Sequence, residues 1–355
     1  AFVLARAGRS VTLIERNAAD TDKVCGDFLS TEAITAVTAL GVDLRALNPA
    51  PINAVRLVHG RRIAAVRLPF PAFGVTRRAL DQALLRQAES SGATILRGHA
   101  VRTINRENGS FRIDCGSLGR LAARTVFLAT GKHDLRGVAR AARGSGLVGL
   151  KMYYSLAPPQ QEALRNHVEL VLFSGGYAGL QLVESNKAVL CILVPSARLR
   201  AGHGRWDGLL DSLTHECPHL AGRLSGASPL LHRPLAAAGM PYGYTHASDA
   251  DDWPGLFRLG DQAMVIASLT GDGVALAVAS AAQASRTWLA QGNATASYHH
   301  DWARSVARQM SLASLVHRAC LAPAVQPWVV RACRVWPMAL RLVASHTRIA
   351  NAPPR

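Results

Sequence analysis

The stretch that most constrains this chain is Leu259-Gly260-Asp261, followed shortly by Leu269-Thr270-Gly271-Asp272-Gly273-Val274 and a run of small residues from Ala275 to Ala282. An apolar strand that runs into Gly-Asp, then a glycine loop, then an apolar helix start, suits one task. The Asp261 carboxylate can accept hydrogen bonds from a sugar hydroxyl. Bare backbone at Gly271 and Gly273 lets a flat ring or a phosphate come close, and the helix start at Val274 offers free amides to negative charge.

The other end of the chain points the same way. It opens without Met, as Ala1-Phe2-Val3-Leu4-Ala5-Arg6-Ala7-Gly8, and continues into Val11-Thr12-Leu13-Ile14-Glu15-Arg16. This reads as the tail of a helix, a glycine stop at Gly8, and a buried strand ending in an acid. In a dinucleotide-binding unit the acid at the end of the second strand takes the ribose hydroxyls, about 20 residues after a glycine turn. That turn is absent here, so the first strand and its glycines are expected upstream of Ala1.

Composition narrows the alternatives. The 355 residues are 49% hydrophobic, enough for a sizeable core in one or two domains. Six cysteines, Cys25, Cys115, Cys191, Cys217, Cys320 and Cys333, have no metal-ligand spacing; they read as free thiols, and no metal site is expected. No apolar stretch reaches spanning length. The formal charge is +17, but only four of the 40 basic residues are lysines, and no aromatic-interleaved basic motif accompanies them. Nucleic acid is therefore not an expected partner, whereas anionic substrates or membrane surfaces are. The oligomeric state is not legible.

Along the chain the pattern suggests a discontinuous domain. Residues 1–50, 75–146 and 255–295 carry nucleotide-binding features, 51–74 and 147–254 are strand-rich, and 296–355 is helical. The spacing predicts helices from about Thr31 to Leu40 and from Leu80 to Ser91. It predicts a hairpin over 53–68 turning at His59-Gly60, and strands at 93–96, 101–104, 111–115 and 122–130. In the centre it predicts strands at 168–174, 179–184 and 188–194, and one helix, Trp206 to Leu213. The last segment, 301–355, holds eight arginines and a single acid, Asp301, with Trp302, Trp328 and Trp336. It is read either as packing across the domain or as peripheral contact with an anionic membrane.

Taken together, these residues resemble the FAD-binding motifs of the flavoprotein superfamily that includes geranylgeranyl reductases and aromatic-ring monooxygenases. The resemblance implies an α/β fold: a Rossmann-like three-layer FAD/NAD(P)-binding domain lacking its first strand, an inserted β-sheet substrate domain and a helical C-terminal tail. It assigns Glu15 and Arg16, Gly131 of Ala129-Thr130-Gly131, Asp261, Gly271, Gly273 and Val274 to the cofactor. Arg77, in an R-x-x-L-D pattern, is assigned to the flavin or its pyrophosphate, although Arg78 stands beside it. Val101 would offer backbone to the adenine, or simply pack in the core. Cys25-Gly26-Asp27 resembles a Cys-Gly segment near the flavin's reactive face. Gly175-Gly176-Tyr177 resembles a substrate-domain motif, or a plain hairpin turn. Cys25 and Tyr177 are thus the candidate catalytic residues.

The implied function is a FAD-dependent oxidoreductase of the geranylgeranyl reductase-like branch. Hydride would pass between flavin N5 and an apolar, lipid or polyketide-like small molecule, with NAD(P)H as transient electron donor. A second reading is a monooxygenase that hydroxylates an aromatic substrate through a C4a-hydroperoxyflavin. The residues after Asp134, Leu135-Arg136, depart from the hydroxylase pattern. A third reading is an inactive fragment or a lipid-surface binding protein. The expected location is cytoplasmic, or peripheral at the inner face of the membrane.

Overall fold

Short parallel strands and long helices build one side of the molecule. The computed structural model describes all residues except 143, 203, 249–251 and 350–355. Strand Thr12–Glu15 pairs in parallel with Thr94–Arg97, and Leu256–Arg258 pairs in parallel with Val126–Leu128. Helix Arg77–Ser90 begins where the Thr76 hydroxyl accepts from the Ala79 amide, satisfying one of the orphan donors of the first turn. It buries Leu80, Ala83 and Ala88, spaced to share one helical face. Helix Gly273–Gln291 presents Ala275, Leu276 and Ala279 to the same core as Thr31–Ala39 and the long helix Thr295–Leu321.

The second layer is a nine-stranded sheet. Its path runs Ser228–Pro229, Leu147–Ser155, Ala188–Pro195, Gly176–Leu182, Asn166–Phe173, Ala50–His59, Arg62–Gly74, Phe28–Leu29, with Leu235–Ala238 also on Leu147–Ser155. Pairing is antiparallel except between Asn166–Phe173 and Ala50–His59. Alternation along a strand sends side chains to opposite faces. Val58 thus packs beneath helices Trp206–Glu216 and Pro218–Leu224, while Leu57 lies on the other face with Leu170 and Leu193. On the helix-covered side the buried Glu169 carboxylate gathers Arg56, His219 and Arg223.

The mixed α/β class, the inserted sheet and the helical C-terminal region agree with the sequence reading. Several elements differ in detail. The strand expected over 101–104 begins at Thr103, so Val101 sits in the preceding coil. The single strand expected over 122–130 breaks into Arg120–Ala123 and Val126–Leu128, which belong to different sheets. The break falls at Arg124-Thr125, where Asn293 holds both the Arg124 carbonyl and the Thr125 hydroxyl. The central segment also holds helices Pro158–Leu164, Ser196–Ala201 and Pro218–Leu224, two of them opened by proline in the first turn. Phe28–Leu29 joins the large sheet through Gly74 and Phe73.

One buried carboxylate ties the C-terminal helices to the rest. Asp272 precedes helix Gly273–Gln291 and is fully buried. It accepts from the Ser30 hydroxyl at 2.9 Å, Gln309 Nε2 at 2.6 Å, the Ile349 amide at 3.2 Å and Arg348 Nη1 at 3.3 Å. Removing one partner of a buried charged pair leaves the other uncompensated. Asp272→Ala is expected to cost about 3–5 kcal/mol of unfolding free energy in equilibrium urea denaturation. Asp272→Asn, which keeps an acceptor, is expected to cost less.

Candidate cofactor and substrate site

The large sheet, the start of helix Gly273–Gln291 and the C-terminal helices enclose a cavity of about 740 Å³. Two loops form one rim of it. In the first, Asp261 lies in the 3-10 turn Gly260–Gln262 that follows strand Leu256–Arg258. Among the described residues its carboxylate carries no hydrogen bond or ion pair, so it borders the cavity as an open acceptor. In the second, Gly271 sits at φ +68° and places Gly273 at the helix start. A Cβ at Gly271 would strike the Phe28 ring at 2.7 Å, so glycine is required there by packing and turn geometry. A Cβ at Gly273 or Gly131 would meet open space, as expected where a ligand approaches the backbone.

Cys25, Gly26, Arg77 and Gly131 border this cavity, as do Tyr177, Asp261, Gly271, Gly273 and Val274. Glu15, Arg16 and Val101 do not. Glu15 lies in a small adjoining pocket with Arg97 and Lys23, and its Oε1 accepts from the Asn17 amide at 3.0 Å. The two pockets share Asp81. Lys23 links them, 3.0 Å from Asp81 and 3.8 Å from Glu15. Arg16 reaches the ring of His133 at 2.9 Å. The Arg77 guanidinium, read from sequence as a cofactor ligand, is committed to Asp81, with bonds of 2.8 and 3.0 Å. Burial pushes the Asp81 carboxyl upward, but Arg77 and Lys23 outweigh it and leave it below its ordinary value.

The loop after Gly131 is clamped to the Asp261 loop by two residues that sequence reasoning passed over. Gln262 Nε2 donates to the carbonyls of Gly131 at 2.8 Å and His133 at 3.1 Å. Arg140 donates to Asp134 at 2.8 Å, and to the carbonyls of Lys132 and Asp261 at 3.0 Å each. Gln262 carries a signal, since it directly follows the Gly-Asp pair. Arg140 has none, because its partners come from two separate stretches, 132–134 and Asp261. Lys132 Nζ donates to the Val24 carbonyl, which joins this rim to Cys25-Gly26.

On the substrate side the walls are mostly apolar, with Val55, Leu57, Leu170, Leu193, Val316 and Leu340 among them. Tyr177, Tyr242 and Ser268 are among the polar residues that interrupt them. The Tyr177 hydroxyl lies 2.7 Å from the Ser268 hydroxyl. The ring of His317 stands edge-on to Tyr177 with centroids 6.0 Å apart, and 5.2 Å from Tyr242. Burial raises both phenols, Tyr242 up to about 12, so they stay protonated at neutral pH and act as hydrogen-bond donors. Burial pulls His317 down to about 4, and its Nδ1 has no hydrogen-bond partner among the described residues.

A second cluster lies away from the cavity. His246 Nε2 is 2.9 Å and His299 Nδ1 3.6 Å from Asp252, a grouping of metal-ligand types that the sequence did not foresee. The Arg258 amide donates to His299 Nε2 at 3.2 Å, which leaves the ring proton on Nδ1, facing Asp252. That protonation suits a hydrogen-bonded charge cluster and opposes metal ligation through Nδ1.

No protein-family model matches this sequence, and no curated protein matches it. Solved structures do share its fold. The flavin-dependent brominase Bmp2 superposes with a TM-score of 0.77 at 14% identity, over 96% of this chain and 88% of that one. The flavin-dependent halogenase CmlS gives 0.75 at 17% identity, over 100% of this chain and 71% of that one. A geranylgeranyl bacteriochlorophyll reductase-like protein of Thermoplasma acidophilum gives 0.71 at 15%, over 94% and 87%. This chain therefore shares the overall fold of these structures.

The neutral, buried His317 makes stability depend on pH. Unfolded, the imidazole takes its proton near pH 6.5; folded, only near 4. Between these values the unfolded state binds more protons, so stability falls as pH drops through this window, by roughly 3 kcal/mol for the single group. The pH profile of unfolding free energy for His317→Leu is expected to lack that decline relative to the parent chain.

Proposed function

We propose that this chain is a FAD-dependent oxidoreductase that exchanges hydride with an apolar small molecule, with NAD(P)H as transient electron donor. The observation that carries this reading is the open Asp261 carboxylate on the same cavity as Gly131 and Gly271 to Val274. The residues fit the cofactor. Asp261 offers an acceptor to a sugar or ribityl hydroxyl. The open space beside Gly131 and Gly273 admits a flat ring. The first-turn amides of helix Gly273–Gln291 lack intrahelical acceptors and favour negative charge on the ring. Glu15 and Arg16, at the adjoining pocket and the His133 loop, are assigned to the nucleotide end. When bound, FAD supplies two-electron transfer to or from a substrate carbon.

The chain's own side chains do the rest. The apolar sheet face excludes water from the reacting carbon. Tyr177, protonated and bonded to Ser268, orients a polar group of the substrate. Arg77 keeps its guanidinium on Asp81 and so orders the helix start beneath Cys25. The likeness to the brominase, over 96% of this chain, favours a competing reading: oxygen-dependent halogenation or hydroxylation in the same cavity. An anaerobic assay with a long-chain isoprenoid alcohol and reduced FAD separates them, because hydride transfer proceeds without oxygen.

The cofactor assignment is tested by titrating FAD into the chain and following flavin fluorescence. Asp261→Ala removes a charge-assisted acceptor and is expected to raise the FAD Kd roughly 10- to 100-fold. An unchanged Kd, or a parent chain that binds no FAD, would contradict the assignment.

A further inference from the structure

The two C-terminal helices have two working faces, and only one is accounted for. Val329 and Cys333 of helix Gln326–Val335 border the cavity, as do Leu340, Val343 and Ala344 of helix Pro337–His346. Their other faces are apolar and bare. Trp328 is 66% exposed, Val335 79%, Trp336 60%, Met338 47% and Leu342 44%. Leu315 of helix Thr295–Leu321 adds a further 57%-exposed apolar side chain while also bordering the cavity. Soluble surfaces rarely carry so many large apolar groups together. Val335, Trp336 and Met338 fall at the corner between the two helices, where they project as a blunt tip.

Charge decides what covers this face. Arg318, Arg331, Arg334 and Arg341 are exposed on the same helices, and no acidic residue occurs after Asp301. The Arg331 guanidinium lies 5.9 Å from the centre of the Trp328 ring, over its face. A second copy of this chain would bring arginine against arginine across a two-fold interface, which costs free energy. A sheet of anionic headgroups over hydrocarbon satisfies both parts at once: indole and aliphatic groups enter the interface and guanidinium groups bind the headgroups. Among the described residues no helix is long and apolar enough to cross a membrane, so the contact is peripheral.

We infer that the exposed face of helices Gln326–Val335 and Pro337–His346 docks on an anionic lipid bilayer. Since the same helices wall the cavity, docking makes the bilayer the source of the apolar substrate, a corollary that rests on the flavoenzyme reading above.

Co-sedimentation of the full chain with phosphatidylcholine vesicles, with and without phosphatidylglycerol, tests the docking without any flavin. The expected result is binding that requires phosphatidylglycerol and weakens as salt rises. Arg334→Gln with Arg341→Gln should weaken it about fivefold per arginine removed. Trp328→Ser with Trp336→Ser should abolish it at low salt, with the circular dichroism spectrum unchanged. A parent chain that stays in solution, or binds both vesicles equally, or whose exposed-tryptophan variant binds as well as the parent, would overturn the inference. So would a dimer in sedimentation velocity that Trp336→Ser dissociates while vesicles capture nothing. FAD titration of the same samples reads the cofactor separately, so the docking and the flavin assignment fail independently.

Discussion

The site depends on the buried ion pair between Asp27 and Lys151. Both side chains are fully buried, 2.7 Å apart. Asp27 also accepts from the Tyr153 hydroxyl at 2.6 Å and the Arg77 amide at 3.2 Å. Its carbonyl takes the Val75 amide at 2.9 Å and Gln181 Nε2 at 3.0 Å. One residue at φ +56° thus joins the large sheet, through Lys151, Tyr153 and Gln181, to the start of helix Arg77–Ser90. A buried pair of this kind adds little net stability, but its geometry is specific, because any other arrangement strands a charge in low dielectric. Its effect here is to hold Cys25-Gly26 on the cavity rim.

A second buried carboxylate works the same way on the opposite rim. Asp272 fixes the turn between Gly271 and Gly273 by drawing on Ser30, Gln309, Arg348 and the Ile349 amide. The loop that would face a flavin ring is thus held by the C-terminal segment. That segment also walls the cavity and presents the exposed tryptophans. The glycine loops, the apolar cavity walls and the outer apolar face are consequently joined through the C-terminal segment rather than being separate modules.

Much of this was readable in sequence where the signal is local. The hairpin around Gly60, the helix after Thr76 and the strands of 166–195 follow from alternation, capping and helical spacing. Asp261 and the 271–274 loop carry a compact pattern, and the structure brings them to one cavity with Cys25, Gly131 and Tyr177. What was not readable depends on which partner each charged or polar side chain takes. Arg77 was read toward a phosphate and is held by Asp81, a helical neighbour within the same motif. Arg140 ties the nearby Lys132 and Asp134 to Asp261, far along the chain, and Gln262 and His317 act through partners that are likewise distant in sequence. Glu15 sits in its own small pocket because Lys23 and Asp81 stand between it and the main cavity, a separation that no periodicity encodes.

The central claim is that the Asp261, Gly131 and Gly271–Val274 loops close on a single flavin nucleotide. Hydrogen–deuterium exchange of the chain with and without FAD tests it most directly. The account predicts slowed exchange confined to the 24–27, 131–134 and 260–276 backbone, the rim segments of the cavity. Protection elsewhere, with these three segments unchanged, would contradict it.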